Sequence, residues 1–257
     1  MGERNYTTLA VVLSVKPQGE HNRAVHLLSP ERGLFSATLY GGPKSRLRSL
    51  VQVFHAGTLS VYANEATRSQ KITDFDVSAS HDTFRESLFK LWAAHLATEL
   101  VVKTKCGGDF SGSYRLLTAL FDGMDASDEP GSRLGLLRFL WRYQVLLGVQ
   151  PDVHRCCHCG SPLLDESLSV HKTVLYSTDS NGFTCEDCAG ERTRTGFVLG
   201  TEALTYLAAV TDLPPKTVRS LPLGAGSVSA IKQLVFYLAE NAAGQHLHSL
   251  ETGASIL

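Results

Sequence analysis

Two cysteine pairs stand out in the 257-residue sequence: Cys156-x-x-Cys159 and Cys185-x-x-Cys188, with twenty-five residues between them. A CxxC turn aims two thiolates at one point while its backbone N–H groups face the sulfurs, and two such turns complete a tetrahedron about a Zn²⁺ ion. Four unrelated buried thiols would not fall into this paired spacing. A redox CxxC usually stands singly beside a βαβ unit. With Cys156, Cys159, Cys185 and Cys188 as ligands, no position remains open for water or substrate, so the expected zinc is a single structural ion, not a catalytic one. Cys157 and His158 lie inside the first turn, where a side chain usually points outward; they read as bystanders, with ligand exchange by either as the alternative. Cys106 is alone and reads as a small helix-end residue. Arg155, Arg192 and Arg194 are placed to offset the negative charge of a zinc–tetrathiolate centre.

The second chemically suggestive segment is Gly41-Gly42-Pro43-Lys44-Ser45-Arg46-Leu47-Arg48. Three cations fall within five residues, and in an extended chain the alternation Lys44-x-Arg46-x-Arg48 turns all three to one side. Such a loop suits the tracking of phosphates, and Tyr40, Phe35 and Phe54 are near enough in sequence to offer stacking. Arg23, in Gly19-Glu20-His21-Asn22-Arg23, is a further candidate. The plain alternative for each is a solvated loop cation, with Arg23 paired to Glu20. Placement after the third strand of a barrel favours binding.

The bulk numbers set limits. An apolar fraction of 43% with 19% charged residues is that of a globular protein, and net charge is −1. The charge is uneven: residues 1–50 hold seven Lys/Arg against three Asp/Glu, and residues 151–257 hold seven against eleven. Such an asymmetry marks an anion-binding N-terminal end or is chance over a short window. No apolar run is long enough to span a bilayer, and the N-terminal residues lack a signal-peptide layout, so the expected location is the cytoplasm, with no membrane partner. GxGxxG, P-loop, GxSxG and HExxH motifs are absent, and no carboxylate pair stands out as an acid–base dyad; the expectation is a protein that is not an enzyme.

The elements that must position these residues follow from periodicity. Thr8–Val15, Ala24–Ser29, Gly33–Tyr40, Thr58–Ala63 and Lys71–Val77 read as five short strands separated by turn residues. A closed barrel removes the free edges of so few strands; an OB-fold suits the count, and an SH3-like barrel fits the pattern nearly as well. From about His81 the period changes to three and four, predicting a helix through Leu100 capped by Asp82, a break at Cys106–Asp109, a helix over about 111–124, a loop over 125–131 and a helix over about 132–147. Ribbon strands are expected over Val170–Ser177 and Gly182–Thr184. Helical pattern resumes over 202–213, is broken at Pro214-Pro215 and returns over 228–250.

These segments, in this order, resemble RecO, the bacterial recombination-mediator family, over nearly the whole chain. The likeness rests on Gly19-Glu20-x-x-Arg23 leading into Val25–Ser29 and Gly33; on Gly42–Arg48 with Leu50-Val51-Gln52-Val53-Phe54; and on Leu146–Gly160 with the second cysteine pair after Gly182-Phe183. The resemblance implies an α+β protein: a five-stranded OB-fold DNA-binding domain over residues 1–80, then a helical domain over 81–257 with an inserted four-cysteine zinc ribbon at about 154–192. It implies binding of single- and double-stranded DNA, annealing of complementary strands, partnership with RecR and with the C-terminal tail of single-stranded-DNA-binding protein, and help in loading RecA, at the nucleoid. For that acidic, apolar-tipped tail, Arg138 and Arg142, four residues apart beside Leu137 and Trp141, are the candidate contacts. Some family members lack the cysteines, so zinc is argued from spacing. After Lys16 comes Pro17-Gln18 in place of the family's frequent Lys/Arg cluster, which makes this face less basic. Two other functions compete: an OB and zinc-ribbon module that binds only protein, and a zinc-containing nucleic-acid enzyme, which the closed cysteine set disfavours.

Overall fold

A computed structural model of the chain describes residues 4–42, 45–64, 66–164, 173–190 and 195–253. Two compact units are formed, Met1–Leu136 with Leu247–Leu257, and Leu137–His246.

The first unit begins with five strands: β1 (Arg4–Gln18), β2 (Asn22–Ser29), β3 (Gly33–Leu39), β4 (Ala56–Asn64) and β5 (Ser69–Ala79), with a short helix α1 (Arg46–Leu50) between β3 and β4. They close into a barrel in the order β1-β2-β3-β5-β4. β1 makes closure possible through its length. Its first half pairs antiparallel with β4 (Arg4↔Ala63 to Val11↔Ala56) and its second half with β2 (Val11↔Leu28 to Gln18↔Asn22). A register shift between Val12 and Ser14 bends it from one partner to the other, the usual work of a bulge. β3 meets β5 in parallel, which settles the topology as the OB-fold and not the SH3-like alternative. Gly57 lies where β4 and β5 slip register; a methyl there would run into the Asp76 carbonyl.

Alternation fills the interior. Ala10, Val12, Val25, Leu27, Leu39, Leu59, Val61, Ile72 and Phe75 are buried in one cluster, and α1 lays Leu47 and Leu50 against it beside buried Val51. Two further helices, α2 (Leu88–Lys103) and α3 (Phe110–Asp125), follow in the same unit. Phe54, Phe84, Phe121, His81 and His95 form one aromatic cluster within it. His81 Nδ1 is 2.8 Å from the Phe54 carbonyl and Nε2 2.8 Å from Asp122 Oδ1, tying α3 to the barrel.

The expected helix start at His81 is corrected by this structure. Asp82–Arg85 is only a 3-10 turn; α2 begins at Leu88, where the Ser87 hydroxyl accepts from the Lys90 N–H at 3.3 Å. Asp82 instead accepts from the Ser80 hydroxyl. Asp109 caps α3 through the Gly112 N–H at 2.8 Å. Helix α4 (Glu129–Leu146) starts three residues before its expected position, because Pro130 sits in a first turn that needs no N–H from it, and Asp128 caps the turn.

The second unit holds a three-stranded antiparallel sheet, order β7-β6-β8, from β6 (Thr173–Ser177), β7 (Gly182–Thr184) and β8 (Gly196–Gly200). Val170–Lys172 of the expected ribbon strand lie outside the described residues. Helices α5 (Glu186–Ala189), α6 (Thr201–Asp212), α7 (Pro215–Arg219) and α8 (Ala225–Ala243) complete it. The expected helix over 228–250 divides at Gly244. Its last part, α9 (His248–Thr252), belongs to the first unit, where the Glu99 carboxylate accepts the His248 and Ser249 N–H groups at 2.9 Å each.

Candidate metal centre and nucleic-acid interface

The four sulfurs of Cys156, Cys159, Cys185 and Cys188 lie within 4.8 Å of one another. Two different backbone devices bring them there. At the first pair, Gly160 takes a left-handed conformation (φ 73°) that returns its N–H to the Cys156 carbonyl at 2.9 Å, while the Cys156 N–H donates to the Ser161 carbonyl at 2.9 Å. At the second, Cys185 stands at the start of α5, and the Cys188 and Ala189 N–H groups close back on its carbonyl. The Cys185 N–H points at Cys156 Sγ at 3.4 Å, and Cys159 Sγ lies 3.7 Å from Cys185 Sγ. Metal–sulfur bonds of about 2.3 Å in a tetrahedron put sulfurs about 3.8 Å apart. The donor set therefore fits a tetrahedral, thiophilic ion.

The electrostatics agree. The Ser161 hydroxyl and backbone N–H, with Cys156 and Cys188, draw the Cys159 thiol down to about 6, whereas its thiol neighbours push Cys188 up to about 12. Burial alone would raise Cys156, and backbone N–H groups from Cys159, Cys185 and His158 outweigh it and bring the thiol below its usual range. A cluster that sheds its first proton easily and holds its last is one in which a cation replaces protons. Cys157 packs on Gly182 and sends its N–H to the Phe183 carbonyl, and His158 Nε2 faces the Ser180 hydroxyl at 3.3 Å. Cys106 is buried at the end of α2, its thiol pushed up to about 11 by desolvation. Arg155 donates to the Gly160 carbonyl at 3.3 Å; Arg192 and Arg194 lie outside the described residues. Ser161 is a contributor that the cysteine spacing did not announce; a hydroxyl two residues past the second thiol was the available signal.

On the barrel, the basic segment is not one extended stretch. Lys44 lies outside the described residues. Arg46 and Arg48 fall in the turn of α1, where the Arg48 N–H bonds to the Ser45 carbonyl at 3.0 Å. Two steps along a helix turn a side chain through about 200°, so Arg46 and Arg48 project to different sides rather than to one. Arg23 pairs in register with Leu39 and shares the parity of Val25 and Leu27; it stands on the core-facing side of β2 at the barrel's end, half-buried. Of the three aromatics singled out for stacking, Phe54 is 4% exposed in the aromatic cluster and Phe35 packs on the barrel core, whereas Tyr40 is 47% exposed.

Arg138 and Arg142 project from α4 toward α6. Arg138 Nη1 donates to the Tyr206 hydroxyl at 3.2 Å, and Arg142 Nε donates to the Val210 carbonyl at 3.2 Å at the C-terminal end of α6. Leu137 and Trp141, expected to line a pocket beside them, are buried core; Leu213, whose carbonyl accepts from Arg142 at 3.5 Å, is an exposed apolar neighbour. Among the described residues, no carboxylate pairs with either guanidinium.

An OB barrel followed by a helical region with a four-cysteine cluster defines the class: an OB-fold protein with an appended helical part whose cysteines could hold a metal ion. Residues 1–81 match the family described as recombination protein O N terminal, and residues 85–251 match recombination protein O C terminal. The chain belongs to the recombination protein O family of DNA repair proteins. It is 29% identical over 224 residues to the DNA repair protein RecO of Solidesulfovibrio magneticus, covering 82% of this chain and 84% of that one. It is 29% identical over 220 residues to RecO of Synechococcus elongatus (82% and 79%) and 28% identical over 182 residues to RecO of Bacillus pumilus (69% and 66%). No helix among the described residues is long and apolar enough to cross a membrane.

Proposed function

We propose that this protein is a recombination mediator that holds single- and double-stranded DNA, anneals complementary strands, and helps load RecA together with RecR in the cytoplasm, at the nucleoid. Residues 1–80 form the DNA-holding domain and residues 81–257 the helical domain with its metal module at about 154–192. The observation that carries the reading is a family-matched OB barrel in an N-terminal stretch with a local excess of four positive charges. Arg23, Lys44, Arg46 and Arg48 neutralise phosphates and read no sequence, and the acidic C-terminal half keeps the strand to one end. Because Arg46 and Arg48 diverge, they serve a strand that bends around α1 or two strands at once; the second arrangement is what annealing requires.

The metal is one structural Zn²⁺ held by Cys156, Cys159, Cys185 and Cys188. It fastens the module and takes no part in a reaction of the protein's own. The C-terminal tail of single-stranded-DNA-binding protein docks at Arg138 and Arg142, with Leu213 beside them to meet an apolar tip. A strand-annealing assay tests the central reading. The wild-type protein accelerates pairing of complementary oligonucleotides, and Lys44→Ala/Arg46→Ala/Arg48→Ala loses most of that acceleration. Equal rates with and without wild-type protein would remove the reading.

A further inference from the structure

Across β1, β2 and β3, the outward rows that run to Lys71 of β5 carry small polar side chains and two lysines. Register and alternation put Ser14, His26 and Ser36 in one row across β1, β2 and β3, and Lys16, Ala24, Thr38 and Lys71 in the next, extending to β5. Gln18 and Asn22 begin a third row, with Thr38 bonded across to Gln18 at 3.3 Å. None of these side chains is a carboxylate. Strands are about 4.8 Å apart, so the backbones of Lys16 and Lys71 are about 14 Å apart, with only small side chains between them. Tyr40 stands two residues beyond Thr38 on the same parity, at the mouth of the Gly41-Gly42 segment, with Lys71 Nζ 5.4 Å from its ring centroid.

The contrast with Tyr6 is informative. That ring is covered by the Arg32 guanidinium at 3.4 Å, and its hydroxyl is taken by Gln70 at 2.6 Å. Tyr40 keeps nearly half its surface open and has a cation at its edge of the sheet. An exposed ring beside an ammonium group suits a π-faced, anion-bearing ligand. In a duplex the base faces are already stacked on each other; only an unpaired base can offer one.

We infer that Tyr40, with Lys71 beside it, is a stacking site for one unpaired nucleobase, and that it makes the barrel bind single strands more tightly than duplex. The inference rests on the DNA-binding reading above and assigns to that site its discriminating residue. Lys71 supplies a phosphate contact that any strand can use, and Tyr40 supplies a contact that only an exposed base can use.

The test measures anisotropy with three labelled ligands: oligothymidylate, an abasic strand of the same length and charge, and a duplex of the same length. Tyr40→Ala weakens oligothymidylate binding on the order of tenfold and leaves the abasic strand and the duplex within about twofold of wild type. Tyr40→Phe, which keeps the ring, binds oligothymidylate as wild type does. Loss on all three ligands alike, or no loss on oligothymidylate, overturns the inference. If Lys44→Ala/Arg46→Ala/Arg48→Ala weakens all three ligands while Tyr40→Ala weakens none, DNA binding stands and the stacking site falls. A wild-type protein that binds none of the three removes both.

Discussion

The barrel and the four-cysteine module are both small antiparallel-rich sheets, and they solve the problem of a small core differently. In the barrel, eleven buried apolar side chains from Ala10 to Phe75 fill a sheet that closes on itself. In the module, strands of five, three and five residues contribute Val174, Tyr176, Phe183 and Leu199, and two of its four cysteines are not buried. So few apolar groups cannot offset the entropy of ordering the connecting turns, whereas four metal–sulfur bonds can. The comparison teaches where each region is vulnerable: the barrel to a hole in its core, the module to loss of the ion proposed for it.

The largest expected effect is therefore on the module. A metal-binding free energy on the order of 10 kcal/mol is available to such a site. Chelation under reducing conditions, or Cys156→Ser, should abolish amide-exchange protection over residues 154–190 while strands of the barrel keep theirs. Purified protein should carry one zinc per chain by elemental analysis. Folded protein with reduced thiols and no metal would break the comparison.

Next comes the barrel core. Phe75→Ala removes a fully buried ring from the centre of the closed sheet and should cost about 3–5 kcal/mol in urea unfolding of the first unit, with zinc content unchanged. A cost below about 1 kcal/mol would show that the barrel is not the self-supporting part.

The smallest effect concerns α9, which the Glu99 carboxylate, the Trp92 indole donating to the Ser249 carbonyl, and buried Leu247 hold in the first unit. Glu99 is subject first to desolvation, which raises it, but the Lys103 ammonium and the Ser249 and His248 N–H groups prevail and hold it at about 2. A folded-state value below the ordinary one gives a contribution that is complete above about pH 4.5 and is lost as the pH falls toward 2. Exchange at the His248 and Ser249 amides should accelerate across that window. Glu99→Gln should show the faster exchange already at neutral pH, at a cost of about 1 kcal/mol for this partly exposed group. Protection that is flat from pH 5 to 2 would contradict the assignment.

Some of this was legible in the residues and some was not, for identifiable reasons. Strands such as Ala24–Ser29 and Gly33–Tyr40 declare themselves because one face is buried and alternation is forced. The cysteine pairs declare a cluster because CxxC turns have few other uses. The start of α2 was not legible: Phe84 is buried and keeps a helical-looking spacing, yet it belongs to a 3-10 turn, and the true cap is Ser87. The geometry of the basic segment was hidden because Lys-x-Arg-x-Arg looks the same extended or helical; Leu47 and Leu50, drawn to the barrel core, decide for the helix. Arg142 gave no sign of its bond to the carbonyl of Val210, sixty-eight positions later, which depends on where α6 ends. The value of Tyr40 over Phe35 and Phe54 lies in exposure, which is a tertiary property.

The central claim is that the barrel holds DNA by its cations, and the salt dependence of single-strand affinity tests it most directly. If Arg23, Lys44, Arg46 and Arg48 each neutralise one phosphate, log K against log salt has a slope of about −3, and Lys44→Ala/Arg46→Ala/Arg48→Ala flattens it by about two units while weakening all sequences alike. An unchanged affinity and an unchanged slope in that variant would show the segment to be a solvated turn and the claim to be wrong.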